Sequence, residues 1–159
     1  MFEQFYAEGE KAMEAAGARI GAALEWKGIV YLDGDLGAGK TTLSRGLIRA
    51  KGHQGAVKSP TFTLVEPYEF PGGAIYHFDL YRLLDPEELE FLGIRDYFTP
   101  DSLCLIEWPE KGKGVLPSPD LTITIATQGA GRYLSIEGQS AHGVAACQKF
   151  YNNRSGATS

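Results

Sequence analysis

Residues 28–41 read GIVYLDGDLGAGKT, and this stretch decides the fold. Its first six residues are an apolar run rich in β-branched and aromatic side chains, which predicts a buried strand. The pattern G-x-x-x-x-G-K-[ST] follows in Gly34, Gly39, Lys40 and Thr41. Gly34, Gly37 and Gly39 let the backbone wrap tightly, with N–H groups directed at phosphate oxygens. A helix predicted from about residue 40 to about residue 50 adds the positive end of its dipole and its unpaired N–H groups. Lys51-Gly52 is its expected stop. Lys40 offers a point charge to the β- and γ-phosphates of a nucleoside triphosphate, and the Thr41 hydroxyl offers a ligand for Mg²⁺. Asp35, Leu36, Ala38 and Thr42 complete the loop and the first helical turn, so residues 34–42 are all candidate nucleotide-binding positions. The plain alternative is a glycine-rich turn with a chance lysine. The strand before and the helix after are the context that favours phosphate binding.

Upstream, Met13, Ala16, Ile20, Ala23 and Leu24 recur at helical spacing and predict a helix over residues 5–26. Downstream, SPTFTLVEPYEF at 59–70 reads as extended, but Pro60 and Pro67 make it an edge strand or loop. Gly72-Gly73 marks a turn, and AIYHFD at 74–79 a strand. Asp85-Pro86-Glu87-Glu88 has the cap, proline and acids of a helix start, with Leu92 and Gly93 at its end. SLCLIE at 102–107 is the second strong buried strand. Residues 121–126 and 133–137 alternate on either side of Gln128-Gly129-Ala130-Gly131, which predicts a hairpin. From Ala141 the pattern fades, and residues 152–159 read as a mobile tail. The sum is an α/β fold of the P-loop NTPase kind. One domain is expected over residues 1–140, a mixed, mostly parallel sheet flanked by helices with a C-terminal antiparallel hairpin. Residues 141–159 are a weakly assigned segment and tail.

The 159 residues suit one domain with a real core. The net charge of −5 argues against a protein that grips nucleic acid by itself through phosphates. The longest basic stretch, 111–113, is split by Gly112, so any nucleic acid is expected to be reached through a partner. No window of 18 apolar residues exists to span a membrane. The opening MFEQFYAEGEKAMEAAG lacks the layout of a secretory leader, and a cytoplasmic protein is expected. Cys104 and Cys147 form neither a CxxC pair nor a His/Cys cluster.

A bound Mg²⁺ calls for a carboxylate at the end of another buried strand. Glu107 ends SLCLIE and Asp79 ends AIYHFD. Ligands of α/β sheets gather at the carboxyl ends of strands, so both acids are candidates, one for the metal and one to orient water. The residues alone do not rank them, and a solvent-facing strand end or a turn cap is the bland reading of each. Thr61, between the loop helix and the first acid, occupies the place where many P-loop hydrolases keep a γ-phosphate switch. From its residues alone a plain turn is expected there. Trp108 either stacks near the nucleotide or covers the core edge, and its spacing favours the second. His77 alternates with Asp79 and shares its face, which suggests a hydrogen-bonded structural histidine more than a metal ligand. Arg82 and Arg132 are possible phosphate or base contacts, against the commoner solvated or ion-paired arginine. The guanine-reading NKxD element and the DxxG switch are both missing, and no arginine-rich kinase lid is evident.

GDLGAGKTTL at 34–43, SPTFTLVEPY at 59–68, HFDLYRL at 77–83 and IEWPEKG at 106–112 resemble the TsaE (formerly YjeE) family of small bacterial ATPases. The blocks stand in the family's order and spacing. The resemblance implies a P-loop ATPase, weak alone and stimulated by partners, that uses ATP and Mg²⁺. It implies a role with TsaD and TsaB in making threonylcarbamoyladenosine next to the tRNA anticodon, with tRNA met through that complex. It also implies that Lys40 binds phosphate and acts in catalysis, and that Thr41 and Glu107 serve the metal. Asp79 becomes the other acid near the γ-phosphate, with Thr61 and Trp108 beside the nucleotide and Arg132 a basic contact before the closing strand. Met13 stands where family members often have a threonine near the nucleotide, and the stretch after Glu137 matches weakly. A small-molecule kinase and a nucleotide-dependent interaction module without meaningful catalysis are the competing readings.

Overall fold

The computed structural model describes residues 2–35 and 37–156, the side chains of residues 2, 3 and 153–156 excepted. Its elements are β1 (Phe2–Glu8), α1 (Glu10–Ala23), β2 (Gly28–Gly34), α2 (Lys40–Lys51), β3 (Val65–Phe70), β4 (Gly73–Asp79), α3 (Glu87–Leu92), β5 (Ser102–Glu107), β6 (Leu121–Gln128), β7 (Gly131–Gly138) and α4 (Ala141–Gly156). The strands form one sheet in the order β1-β7-β6-β2-β5-β4-β3. Pairing is parallel from β6 through β2 and β5 to β4, and antiparallel at both flanks. β1, β6, β2, β5 and β4 therefore run one way, against β7 and β3. The mixed, mostly parallel α/β sheet and its closing β6–β7 hairpin are as expected.

Helices cover both faces. On one, Ile20 of α1 and Leu43 and Leu47 of α2 pack on Val30, Leu32, Ile75, Leu103 and Leu105. On the other, Leu89 of α3 packs with Phe78, Cys104 and Ile106. β5 is buried at every position, as befits a central strand covered on both faces. Burial also pushes the Cys104 thiol up to about 12. α1 and α2 approach so closely that a Cβ on Gly46 would stand 2.1 Å from the Glu14 carbonyl oxygen. Arg45 of α2 ties the pair by donating to Glu14 (2.6 Å) and Glu10 (2.7 Å) of α1. The helix that starts at Lys40 is thus fixed in direction.

Two expectations change and one holds. The helix read over residues 5–26 is a strand followed by a helix. Gly9, at φ 88°, breaks the chain between them, and β1 is claimed by β7 along the ladder Phe2↔Glu137 to Glu8↔Gly131. The stretch 59–70 is loop and edge strand as its prolines imply: turn over its first part, then Val65–Phe70 as a strand at the sheet edge with Pro67 on it. The fading C-terminal pattern is α4, which carries through Gly156 into the stretch read as a tail. It buries Gly143, Ala146, Cys147 and Phe150, a helical stripe whose small residues give little hydrophobic signal. Residues 157–159 lie outside the described residues.

Candidate nucleotide site

β2 delivers the chain into the glycine loop at the carboxyl end of the sheet. Gly37 (φ 80°) and Gly39 (φ 109°) take left-handed conformations that a side chain would strain. Gly34 passes so close to β6 that a Cβ would lie 2.9 Å from the Ile125 oxygen. The Ala38 N–H donates to the Asp35 oxygen (3.0 Å), and the next turn is already α2. Leu36 lies outside the described residues, and Asp35 is exposed. Lys40 is only 5% exposed. Its ammonium donates to the Gly34 carbonyl oxygen (2.6 Å) and stands 3.9 Å from the centre of the Trp108 ring. A buried cation is held here by one carbonyl and one ring face.

The parallel β4–β5 ladder ends with Asp79 opposite Glu107, while Leu32 of β2 pairs with Glu107 on its other side. Three strand ends therefore bring the loop and both acids together. They enclose a cleft of about 250 Å³, lined by Gly37, Gly39, Lys40, Thr41 and Thr42 on one side and by Ser59, Thr61, Asp79, Glu107 and Trp108 on the other. Both oxygens of Asp79 are hydrogen-bonded: one accepts from the Thr61 hydroxyl (3.1 Å) and the other from the Tyr81 N–H (3.0 Å). Glu107, 3% exposed, is held through one oxygen by the His77 imidazole at 2.6 Å.

The family model for "Threonylcarbamoyl adenosine biosynthesis protein TsaE" matches residues 7–134, a span that contains the loop and both acids. The chain belongs to the TsaE family. Among TsaE relatives, the tRNA threonylcarbamoyladenosine biosynthesis protein of Haemophilus influenzae is 58% identical over 124 residues, 78% of each chain. That of Rickettsia bellii is 43% identical, over 65% of this chain and 72% of the relative. That of Bacillus subtilis is 40% identical over 70% of each. A crystal structure of YdiB from Bacillus subtilis superposes with a TM-score of 0.80 at 25% identity, covering 96% of both chains.

Of the TsaE-type residues singled out by sequence, the structure brings Gly37, Gly39, Lys40, Thr41, Thr42, Thr61, Asp79, Glu107 and Trp108 to one cleft. Arg132 sits behind the loop. Its guanidinium donates to the carbonyls of Ala38 (2.8 Å) and Gly131 (3.0 Å), beside a second recess of about 210 Å³ that Met13 and Thr42 also line. Met13 is buried there and would meet a Cβ on Gly39 at 2.9 Å, so the recess has an apolar wall. Arg82 lies elsewhere, its guanidinium over the exposed Phe62 ring at 4.4 Å. Trp108 covers the apolar cluster and reaches Lys40 at once, from a left-handed backbone (φ 58°) that turns it over the cleft. Two participants were missed: Ser59, whose hydroxyl meets that of Thr61 at 2.8 Å, and His77 as the partner of Glu107. The shared face of His77 and Asp79 was the available signal, but pairing with β5 was needed to read it.

Proposed function

We propose that this chain binds ATP with Mg²⁺ in the cleft at the carboxyl end of the sheet and hydrolyses it. The observation that carries the reading is the convergence of the glycine loop, Lys40, Thr41, Asp79 and Glu107 on one space of about 250 Å³. The loop N–H groups and the first turn of α2 receive the phosphates. Lys40, now resting on the Gly34 carbonyl, turns to the β- and γ-phosphates. The donor set fits Mg²⁺. Among the described residues no three His, Cys, Asp or Glu side chains cluster into a site of their own. Mg²⁺ commonly takes one or two protein oxygens and completes its shell with phosphate and water. Thr41 and Glu107 are the oxygens that would hold it, and it would neutralise charge on the phosphates. Glu107 keeps an oxygen for that task. Asp79, tied to Thr61 and to the Tyr81 N–H, is better suited to orient the attacking water and couple it to the 59–64 segment. ATP is favoured over GTP because the NKxD and DxxG elements are missing.

The purpose of that hydrolysis rests on family membership. We infer that it supports a TsaD–TsaB-type complex in threonylcarbamoylating the tRNA adenosine next to the anticodon, in the cytoplasm. tRNA is reached through that complex, in keeping with the net charge of −5. Among the described residues no helix is long and apolar enough to cross a membrane. The test is a reconstituted tRNA modification assay with TsaD- and TsaB-type proteins, with and without this chain, run beside phosphate release from ATP and GTP. Expected are Mg²⁺-dependent release from ATP, stimulation by the partners, and sustained modification only when the chain is present. Modification indifferent to the chain would sink the role, and a phosphorylated small acceptor in place of inorganic phosphate would make it a kinase.

A further inference from the structure

His77 is a buried polar side chain that a glycine-loop site has no general need for. It is 0% exposed in the middle of β4. The β4–β5 register sets it opposite Leu105 and sets Asp79 opposite Glu107. The Glu107 side chain therefore reaches back along the sheet to meet the imidazole Nε2 at 2.6 Å. The other ring nitrogen, Nδ1, is buried without a hydrogen-bond partner. That arrangement fixes the tautomer. A proton on Nδ1 would orphan a donor and turn the Nε2 lone pair against a carboxylate oxygen, whereas a proton on Nε2 donates to Glu107. The remaining cost is an unpaired Nδ1 acceptor, which a leucine in that place would avoid.

We propose that His77 is a positioning residue for Glu107: its Nε2–H holds one carboxylate oxygen and presents the other to the cleft as the ligand oxygen for the divalent cation. This rests on the metal–nucleotide reading given above. A His-to-carboxylate bond behind a metal ligand orients it and supports its affinity. Among the described residues the imidazole is the one hydrogen-bond donor to that carboxylate.

The test compares wild type, His77→Leu and His77→Gln, the last able to donate an N–H toward Glu107. Mn²⁺ binding to the complex with a non-hydrolysable ATP analogue is read by electron paramagnetic resonance. The Mg²⁺ concentration for half-maximal hydrolysis and the nucleotide affinity in EDTA are measured alongside. Expected for His77→Leu is about tenfold weaker Mn²⁺ binding and a matching rise in the Mg²⁺ requirement, with nucleotide affinity in EDTA unchanged and substantial recovery in His77→Gln. A folded leucine variant whose Mn²⁺ affinity is within twofold of wild type overturns the proposal, and so does a glutamine variant as impaired as the leucine one. Wild type that binds no Mn²⁺ with nucleotide overturns the proposed function and this proposal together. Should the leucine variant fail to fold, nitrogen NMR of the wild-type imidazole decides. A neutral ring protonated at Nε2, whose signal moves when metal joins the nucleotide complex, supports the proposal. A ring protonated at Nδ1 overturns it.

Discussion

The two ends of the sheet carry cavities of opposite character. At the amino ends of β2, β5 and β6 lies a cavity of about 470 Å³ lined by Lys27, Gly28, Phe98, Ser102, Asp120 and His142. At the carboxyl ends lies the cleft of about 250 Å³. The larger one has the polar groups of a binding site, but they are engaged in holding the fold. Asp120 accepts from the Ile29 N–H (2.8 Å) and the Ser140 hydroxyl (2.7 Å). Ser102 donates to the Tyr97 oxygen (2.8 Å), and His142 meets the Lys27 oxygen at 2.9 Å. The smaller one gathers an ammonium, two carboxylates and threonine hydroxyls from separate elements, with the start of α2 directed at them. Parallel strands followed by helices put helix N-termini at the carboxyl end of a sheet, and this asymmetry marks the site where volume does not.

The strongest way to break that contrast is Lys40→Ala. Loss of the cation from the carboxyl-end cleft is expected to lower ATP turnover about 100-fold or more, the scale for removing a preorganised charge-stabilising donor. Phosphate release and nucleotide titration would check it, and a loss below about tenfold would remove Lys40 from the reading. Asp120→Ala at the other end should do the reverse. It leaves the Ile29 N–H and Ser140 hydroxyl without their charged acceptor, which is expected to cost about 2 kcal/mol. For a chain of this size that lowers the melting temperature by about 4–8 °C, while turnover per folded molecule stays within about twofold. Thermal unfolding beside the ATPase assay separates the two. Lost turnover at an unchanged melting temperature would mean that the amino-end cavity also functions.

The carboxyl-end site was legible in the sequence to the extent that its chemistry is local. The loop needs Gly37 and Gly39 for backbone reasons and Lys40 at a set spacing, and all lie within one short stretch. Asp79 and Glu107 were legible as strand ends because both follow apolar runs. What joins them was not. The His77–Glu107 bond spans 30 positions and depends on β4 lying beside β5 in register. Trp108 over Lys40 depends on a left-handed backbone that no local rule assigns to a tryptophan. The first strand was hidden for the same reason: Phe2–Glu8 continues into a helical pattern, and only the β7 edge makes it a strand. In α4 the buried stripe of Gly143, Ala146, Cys147 and Phe150 carries too little apolar bulk to announce itself.

The smallest expected effect sharpens the comparison most. Thr61 is partly exposed in a turn, and its hydroxyl links Ser59 (2.8 Å) to Asp79 (3.1 Å). At the amino end a bond of this kind serves the fold, as the Ser140–Asp120 bond does. At the carboxyl end it should serve turnover instead, because the turn it holds lines the cleft. Thr61→Val keeps the shape and removes the hydroxyl. A single hydrogen bond to a charged partner sets the scale at about 1–2 kcal/mol, so turnover is expected to fall roughly fivefold to thirtyfold. The melting temperature should move by no more than about 2 °C, since the segment is largely solvated. If the hydroxyl acts through Asp79, Thr61→Val in an Asp79→Asn background should add little to the loss already present. Full additivity would detach Thr61 from Asp79 and leave it a direct phosphate or metal contact. A fall in melting temperature without a fall in turnover would make the 59–64 turn structural glue, no different from the opposite end of the sheet.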